Sequence, residues 1–245
     1  MTSGFTQRRS FFAIQLNVKA MENLPAYVDV LFILTTILTL IFFYKASGNS
    51  KKTIAIILCW LALQAIAGLA GFYKVTNSTP PRFMFLILPP LVFITILFIS
   101  ANGRRYIGNF NIKTLTLLHI VRIPVELVLF FLCLRKAVPQ LMTFEGRNFD
   151  IISGLSAPFI YYFGFVKNKI GTKGLLVWNF ICLGLLINIV VNAVLSAPLP
   201  FQQFAFNQPN IALLYFPFVW LPCCVVPLVL LSHLITIRQL LRKKL

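Results

Sequence analysis

Three ionisable side chains interrupt one apolar stretch, HIVRIPVELVLFFLCL: His119, Arg122 and Glu126. Spaced i, i+3 and i+7, they project from one face of a helix. Glu126 is the candidate proton carrier or ligand anchor, and Arg122, four residues before it, is its counter-charge. The plainer reading keeps the Arg122–Glu126 pair as a neutral clip that only fixes helix packing or register. An ionised Arg in mid-membrane costs roughly 2.5–3.5 kcal/mol on insertion scales, so on either reading the face turns inward and pairs. Glu126 falls about 12 residues, or ~18 Å, from the start of its helix, near the bilayer centre.

His233 is the only other histidine. It falls at a depth similar to that of His119, near the same edge of the membrane. Two histidines so placed could be the axial ligands of one haem b, or could bond separately to carbonyls and headgroups. Amides inside the apolar stretches are Gln64, Asn179, Asn188 and Asn192. Asn188 and Asn192 share a face, suited to bonds across helices or to lining an outward-open pocket with Glu126. Gln64 is a further candidate for the same pocket. Two longer loops, PQLMTFEGRNFDI and SAPLPFQQFAFNQPN, mix aromatics with amides and include Glu145 and Asp150. They suit an aromatic belt at the interface or a lid over a pocket.

Apolar runs must position these residues. They lie at about 26–44, 53–73, 83–101, 114–137, 151–167, 174–196 and 211–236, most of them near the roughly 20 residues that cross a bilayer core. The fold class expected is an all-α bundle of seven transmembrane helices. The run at 151–167 is short and contains Gly154, Pro158 and Gly164, so a kink or local unwinding is expected there. Pro89, Pro90, Pro124, Pro158, Pro222 and Pro227 shape helices or act as hinges. Ala67 and Gly71 offer a close-packing face. Lys and Arg concentrate in the loops after the first, third and fifth runs and in the tail RQLLRKKL, whereas the loop before the last run carries none. The positive-inside rule then puts the N-terminus outside and the C-terminus in the cytoplasm.

Residues 1–25 read as an N-terminal extension, 26–236 as the transmembrane domain and 237–245 as a basic cytoplasmic tail. Met21 opens MENLPAYVDVLF like an ordinary protein start, so residues 1–20 are expected to be an upstream addition. Asn77-Ser78-Thr79 matches a glycosylation sequon.

Composition supports this frame and closes other routes. Of 245 residues, 59% are hydrophobic and 11% charged, with a mean hydropathy of +0.87. A soluble chain carries about a quarter charged residues, so lipid is the expected partner for this surface. The net charge of +17 sits in short loops, as an anchor to anionic lipid does, and nucleic acid is not an expected partner. All five cysteines fall in apolar runs, without zinc or redox spacing. The last run holds no lysine for a retinal Schiff base, and two histidines are too few for a membrane di-iron enzyme. Phosphate-binding Gly-rich loops, CxxC and HExxH are absent.

HIVRIPVE, MTFEGRNFDIISGLSAP, VLSAPLPF and FVWLPCCVVPLVLLSHL together resemble a family of uncharacterised bacterial multi-pass membrane proteins, over roughly the C-terminal half. The resemblance implies the bacterial inner membrane and carries over no activity. Three readings stand. One is a non-enzymatic bundle that binds, senses or moves a small or lipidic ligand or a proton at the His119/Arg122/Glu126 face. Another is a structural or accessory subunit that packs against a partner membrane protein. The third is a haem-binding redox protein using His119 and His233.

Overall fold

The structure, a computed structural model, describes residues 21, 23–76 and 78–242. The expected upstream addition (1–20), Asn77 of the sequon and the last three residues of the tail lie outside the described residues.

Helices make up the fold, with no strand among the described residues. In chain order they are α1 (Ala26–Ala46), α2 (Lys51–Leu69), α3 (Met84–Ile99), α4 (Ala101–Gly108), α5 (Ile112–Leu134), α6 (Ile151–Val166), α7 (Thr172–Ser196) and α8 (Leu221–Arg242). Five of them, α1, α2, α5, α7 and α8, are long and apolar enough to cross a membrane. α3 and α4 together make a sixth candidate, bent by 92° at Ser100. This is the build of a multi-pass membrane protein. Leu34, Ile66, Leu69, Ile99 and Phe159 all point outward, a surface that water would not tolerate and acyl chains would.

Local chemistry sets the breaks. Ser100 ends α3 in an extended conformation, and its hydroxyl accepts from Gly103 N at 3.1 Å to cap α4. A Cβ on Gly103 would lie 2.5 Å from Leu97 O, so only glycine permits so sharp a corner. Asn111 caps α5 through Lys113 N (3.0 Å) and Thr114 N (3.3 Å), and its own N–H donates to Ala46 O at 2.9 Å. Pro124 lacks the N–H that α5 would use there, and the turn before it tightens into the 3₁₀ segment His119–Val121. α6 runs unbroken past Pro158 and closes on a π turn, Tyr162–Val166. Gly71 leaves α2 in the left-handed region at φ 72°. The close approach on α2 is made by Gly68, whose missing Cβ would sit 3.2 Å from Val219 Cγ2, rather than by the expected Ala67 and Gly71 face.

The core lies around α8, with 78% of its apolar window buried, against 17% for α2. Trp60 and Trp220 hold α2 onto α8 by donating to Cys223 O and Leu61 O, each at 3.0 Å. The last apolar run is corrected at both ends. It was expected as a helix over 211–236; the helix starts at Leu221 and continues to Arg242. Ile211, Ala212, Leu213 and Leu214 are buried as a loop and a 3₁₀ turn. Ala137 O fastens them by accepting from Ile211 N and Ala212 N at 3.1 Å. The expected tail at 237–245 is therefore helical as far as Arg242, with Gln239 bonded to Ile107 O and Phe110 O at 3.0 Å.

These contacts gather Ala46, Phe110, Asn111 and Gln239 at one end of the bundle. That end is basic on six of the helices, with Lys45, Lys52, Arg104, Lys113, Lys173 and Arg238 among its residues. The acids among the described residues lie elsewhere: Asp29 and Glu145 toward the opposite end, and Glu126 and Asp150 inside the bundle between.

Candidate functional site

Arg122 stands at the centre of a buried polar chain. Its Nη1 donates to Asp150 Oδ1 at 2.8 Å and to Cys182 O at 3.4 Å. Its Nη2 lies 2.9 Å from His233 Nε2. A guanidinium has no acceptor, so Nε2 must be the acceptor and the imidazole carries its proton on Nδ1. That N–H donates to Asn179 Oδ1 at 2.9 Å, while Asn179 Nδ2 donates to Leu175 O at 2.8 Å, an amide orientation that agrees with the tautomer. On the other side, Asn148 Oδ1 accepts from Asp150 N at 3.0 Å, and Asn148 Nδ2 donates to Glu126 Oε1 and to Met142 O (3.0 Å). His119, Arg122, Glu126, Asn148, Asp150, Asn179 and His233 are all buried.

The expected Arg122–Glu126 pair is therefore replaced. Arg122 forms its ion pair with Asp150, and Glu126 is held by Asn148. The loop between α5 and α6 reaches into the bundle and supplies both partners. It is folded tightly enough that a Cβ on Gly146 would lie 2.2 Å from Gln140 O. Thr143 and Asn148 within it are wholly buried. Gly154 completes the approach, since a Cβ there would come within 3.2 Å of Ile123 N and 3.3 Å of Arg122 Cβ. α6 can thus lie directly against the turn that carries Arg122.

His119 joins by packing alone. Its ring stacks on His233 with centroids 3.9 Å apart and planes 17° from parallel, and it meets Trp178 edge-on at 5.5 Å. Neither ring nitrogen of His119 has a hydrogen-bond partner. This does not fit a bis-histidine haem. Axial ligands aim a nitrogen from each side at an iron between them, whereas these rings lie face to face with no room for a porphyrin. Both nitrogens of His233 are also already engaged.

The remaining expected residues lie apart from this chain of bonds. Gln64 accepts from Tyr73 Oη, a bond between α2 and the turn that follows it. Asn192 Nδ2 donates to Asn188 Oδ1 at 3.3 Å, and Asn188 Nδ2 to Arg147 O at 2.9 Å. Asn188 therefore steadies the loop that carries Asn148 rather than lining a pocket with Glu126. Asn148 and Asp150 are the site residues that sequence reasoning missed. Their only signal was an acid in a chain with five, within a loop rich in amides.

A cleft of about 180 Å³ meets the polar chain at Glu126 and Asp150, and its other walls are apolar, among them Phe83, Val125, Leu186 and Pro227. Glu126 Oε2 has no hydrogen-bond partner in the protein. No protein-family model, curated protein or solved structure matches this chain.

Proposed function

We propose that this chain is a non-enzymatic membrane protein that binds a small, largely apolar ligand through the buried face of His119, Arg122 and Glu126. One observation carries the reading: a buried carboxyl oxygen, Glu126 Oε2, without a partner at the wall of an apolar cleft. Leaving such an acceptor unmet costs about 1–3 kcal/mol. A ligand with a hydroxyl or ammonium head on an apolar body would satisfy it. The arrangement favours a ligand over a relayed proton, because the hydrogen-bonded chain passes through Arg122, whose guanidinium does not release a proton.

In this reading the chain crosses the membrane seven times, with α3 and α4 as one span and α6 as the shortest. The N-terminus lies outside, since the uniformly basic end of the bundle suits the cytoplasmic face. The family resemblance favours a bacterial inner membrane. The competing reading, a structural or accessory subunit, is favoured by how well Arg122 is already answered by Asp150, His233 and Cys182 O.

Native mass spectrometry of purified wild type and Glu126→Gln separates the two. Binding predicts a small molecule retained by wild type and lost from the variant at equal melting temperature. Equal retention of nothing, or a variant that fails to fold, favours the structural reading.

A further inference from the structure

A second cleft, about 590 Å³ and larger than the one at Glu126, lies on α2, α3 and α8, away from the polar chain. Pro227 is the one wall residue it shares with the cleft at Glu126. Its floor is apolar, with Trp60, Pro89, Phe93, Cys223 and Leu228. Its polar atoms gather at one end, from Ser50, Lys52, Thr53 and Tyr106. Thr53 Oγ1 donates to Ser50 Oγ at 2.8 Å and pairs with Tyr106 Oη, so the hydroxyls are held together at the mouth. From Thr53 to Trp60, and equally from Leu97 to Pro90 or Leu231 to Cys224, the wall runs seven residues, ~10 Å into the bilayer on each helix.

The mouth lies at the basic end of the bundle. α4 leaves α3 at 92°, so it runs across the membrane normal, where a headgroup layer would be. It carries Arg104 and Arg105. No Asp or Glu lies at this end among the described residues. Two adjoining prolines shape the deep wall at α3, and Ile56, 61% exposed, stands at the open side.

We propose that this cleft is a binding site for an anionic glycerophospholipid. One acyl chain lies along Trp60, Pro89 and Leu228, and the phosphate sits at the mouth against the Lys52 ammonium and the Ser50 hydroxyl, whose proton is the one that the Tyr106–Thr53–Ser50 chain leaves free. The apolar walls match the chain, and the acid-free basic rim matches the charge of the head. The site is independent of the Glu126 reading.

The test uses the full chain in detergent, incubated with equal amounts of phosphatidylglycerol and phosphatidylcholine bearing identical dioleoyl chains, and read by native mass spectrometry. Wild type is expected to retain one phosphatidylglycerol in preference to phosphatidylcholine. Lys52→Gln should cut that preference about fivefold, the share of one basic residue near a headgroup. Ile56→Trp, on the exposed side of the cleft, should remove retention of both lipids while circular dichroism and melting hold. If that variant melts early, Phe93→Ala, which enlarges the cleft, should instead shift retention from dioleoyl phosphatidylglycerol toward a branched-chain phosphatidylglycerol added beside it, and no shift would overturn the proposal. Glu126→Gln should leave the lipid count unchanged, which separates this site from the other. Equal retention of the two lipids by wild type, an unchanged preference in Lys52→Gln, or undiminished retention by a folded Ile56→Trp would overturn the proposal.

Discussion

Asp150→Asn is expected to be the most damaging conservative change in the protein. Asp150 Oδ1 is 2.8 Å from Arg122 Nη1, with side-chain exposures of 8% and 3%. The substitution keeps a hydrogen-bond acceptor and deletes the counter-charge. Removing one member of a buried ion pair costs about 3–5 kcal/mol. Glu126 lies one Asn148 side chain away and offsets part of the stranded charge, so the lower end, about 3 kcal/mol, is expected. For a chain of this size that corresponds to an apparent melting temperature lower by about 6–12 °C, read by circular dichroism in detergent at a fixed scan rate. Glu126→Gln should cost under about 1 kcal/mol, because the Gln amide oxygen can still accept from Asn148. A double-mutant cycle sharpens the contrast. Arg122→Gln and Asp150→Asn should couple by about 2 kcal/mol or more, and Arg122→Gln and Glu126→Gln by well under half of that. Stronger coupling of Arg122 to Glu126 than to Asp150 would refute the reasoning.

The two histidines should behave oppositely. His119→Phe keeps the stack and removes two nitrogens that have no partner, so its melting temperature should hold or rise, whereas His233→Phe strands Arg122 Nη2 and Asn179 Oδ1 and should cost about 2–4 kcal/mol by the same melts. Gly154→Ala should drive α6 off Ile123 and Arg122 and cost about 1–3 kcal/mol as an overpacking change; a wild-type melt would show the approach to be looser than described. A reporter fused after Leu245 should be active only in the cytoplasm, and activity on the other face would end the assigned orientation.

Much of the bundle was legible along the chain because apolar length is a local property. α1, α2, α5, α6 and α7 fall within a few residues of the runs at 26–44, 53–73, 114–137, 151–167 and 174–196. The last run misled because hydropathy cannot tell a spanning helix from a loop buried in protein. Ile211–Leu214 is as apolar as a helix, yet Ala137 O fixes it in another conformation. The run at 83–101 hid its corner, which depends on Ser100 capping one helix while ending another.

At the site, the sequence could name the charges that lipid would force inward, and all of His119, Arg122 and Glu126 are buried. It could not name their partners. Helical spacing makes Arg122 and Glu126 the obvious couple, since i and i+4 are neighbours on any helix. Asp150 is 28 residues from Arg122 in sequence and His233 is 111, and no local periodicity connects them. Composition alone determined that lipid must solvate this chain, because so few charges cannot clothe a surface in water. Which carboxylate answers Arg122 was decided only when Gly154 let α6 close on α5 and the loop at 135–150 folded inward. Ion pairing acts over a few ångströms, and only the packed chain brings such distant residues that close.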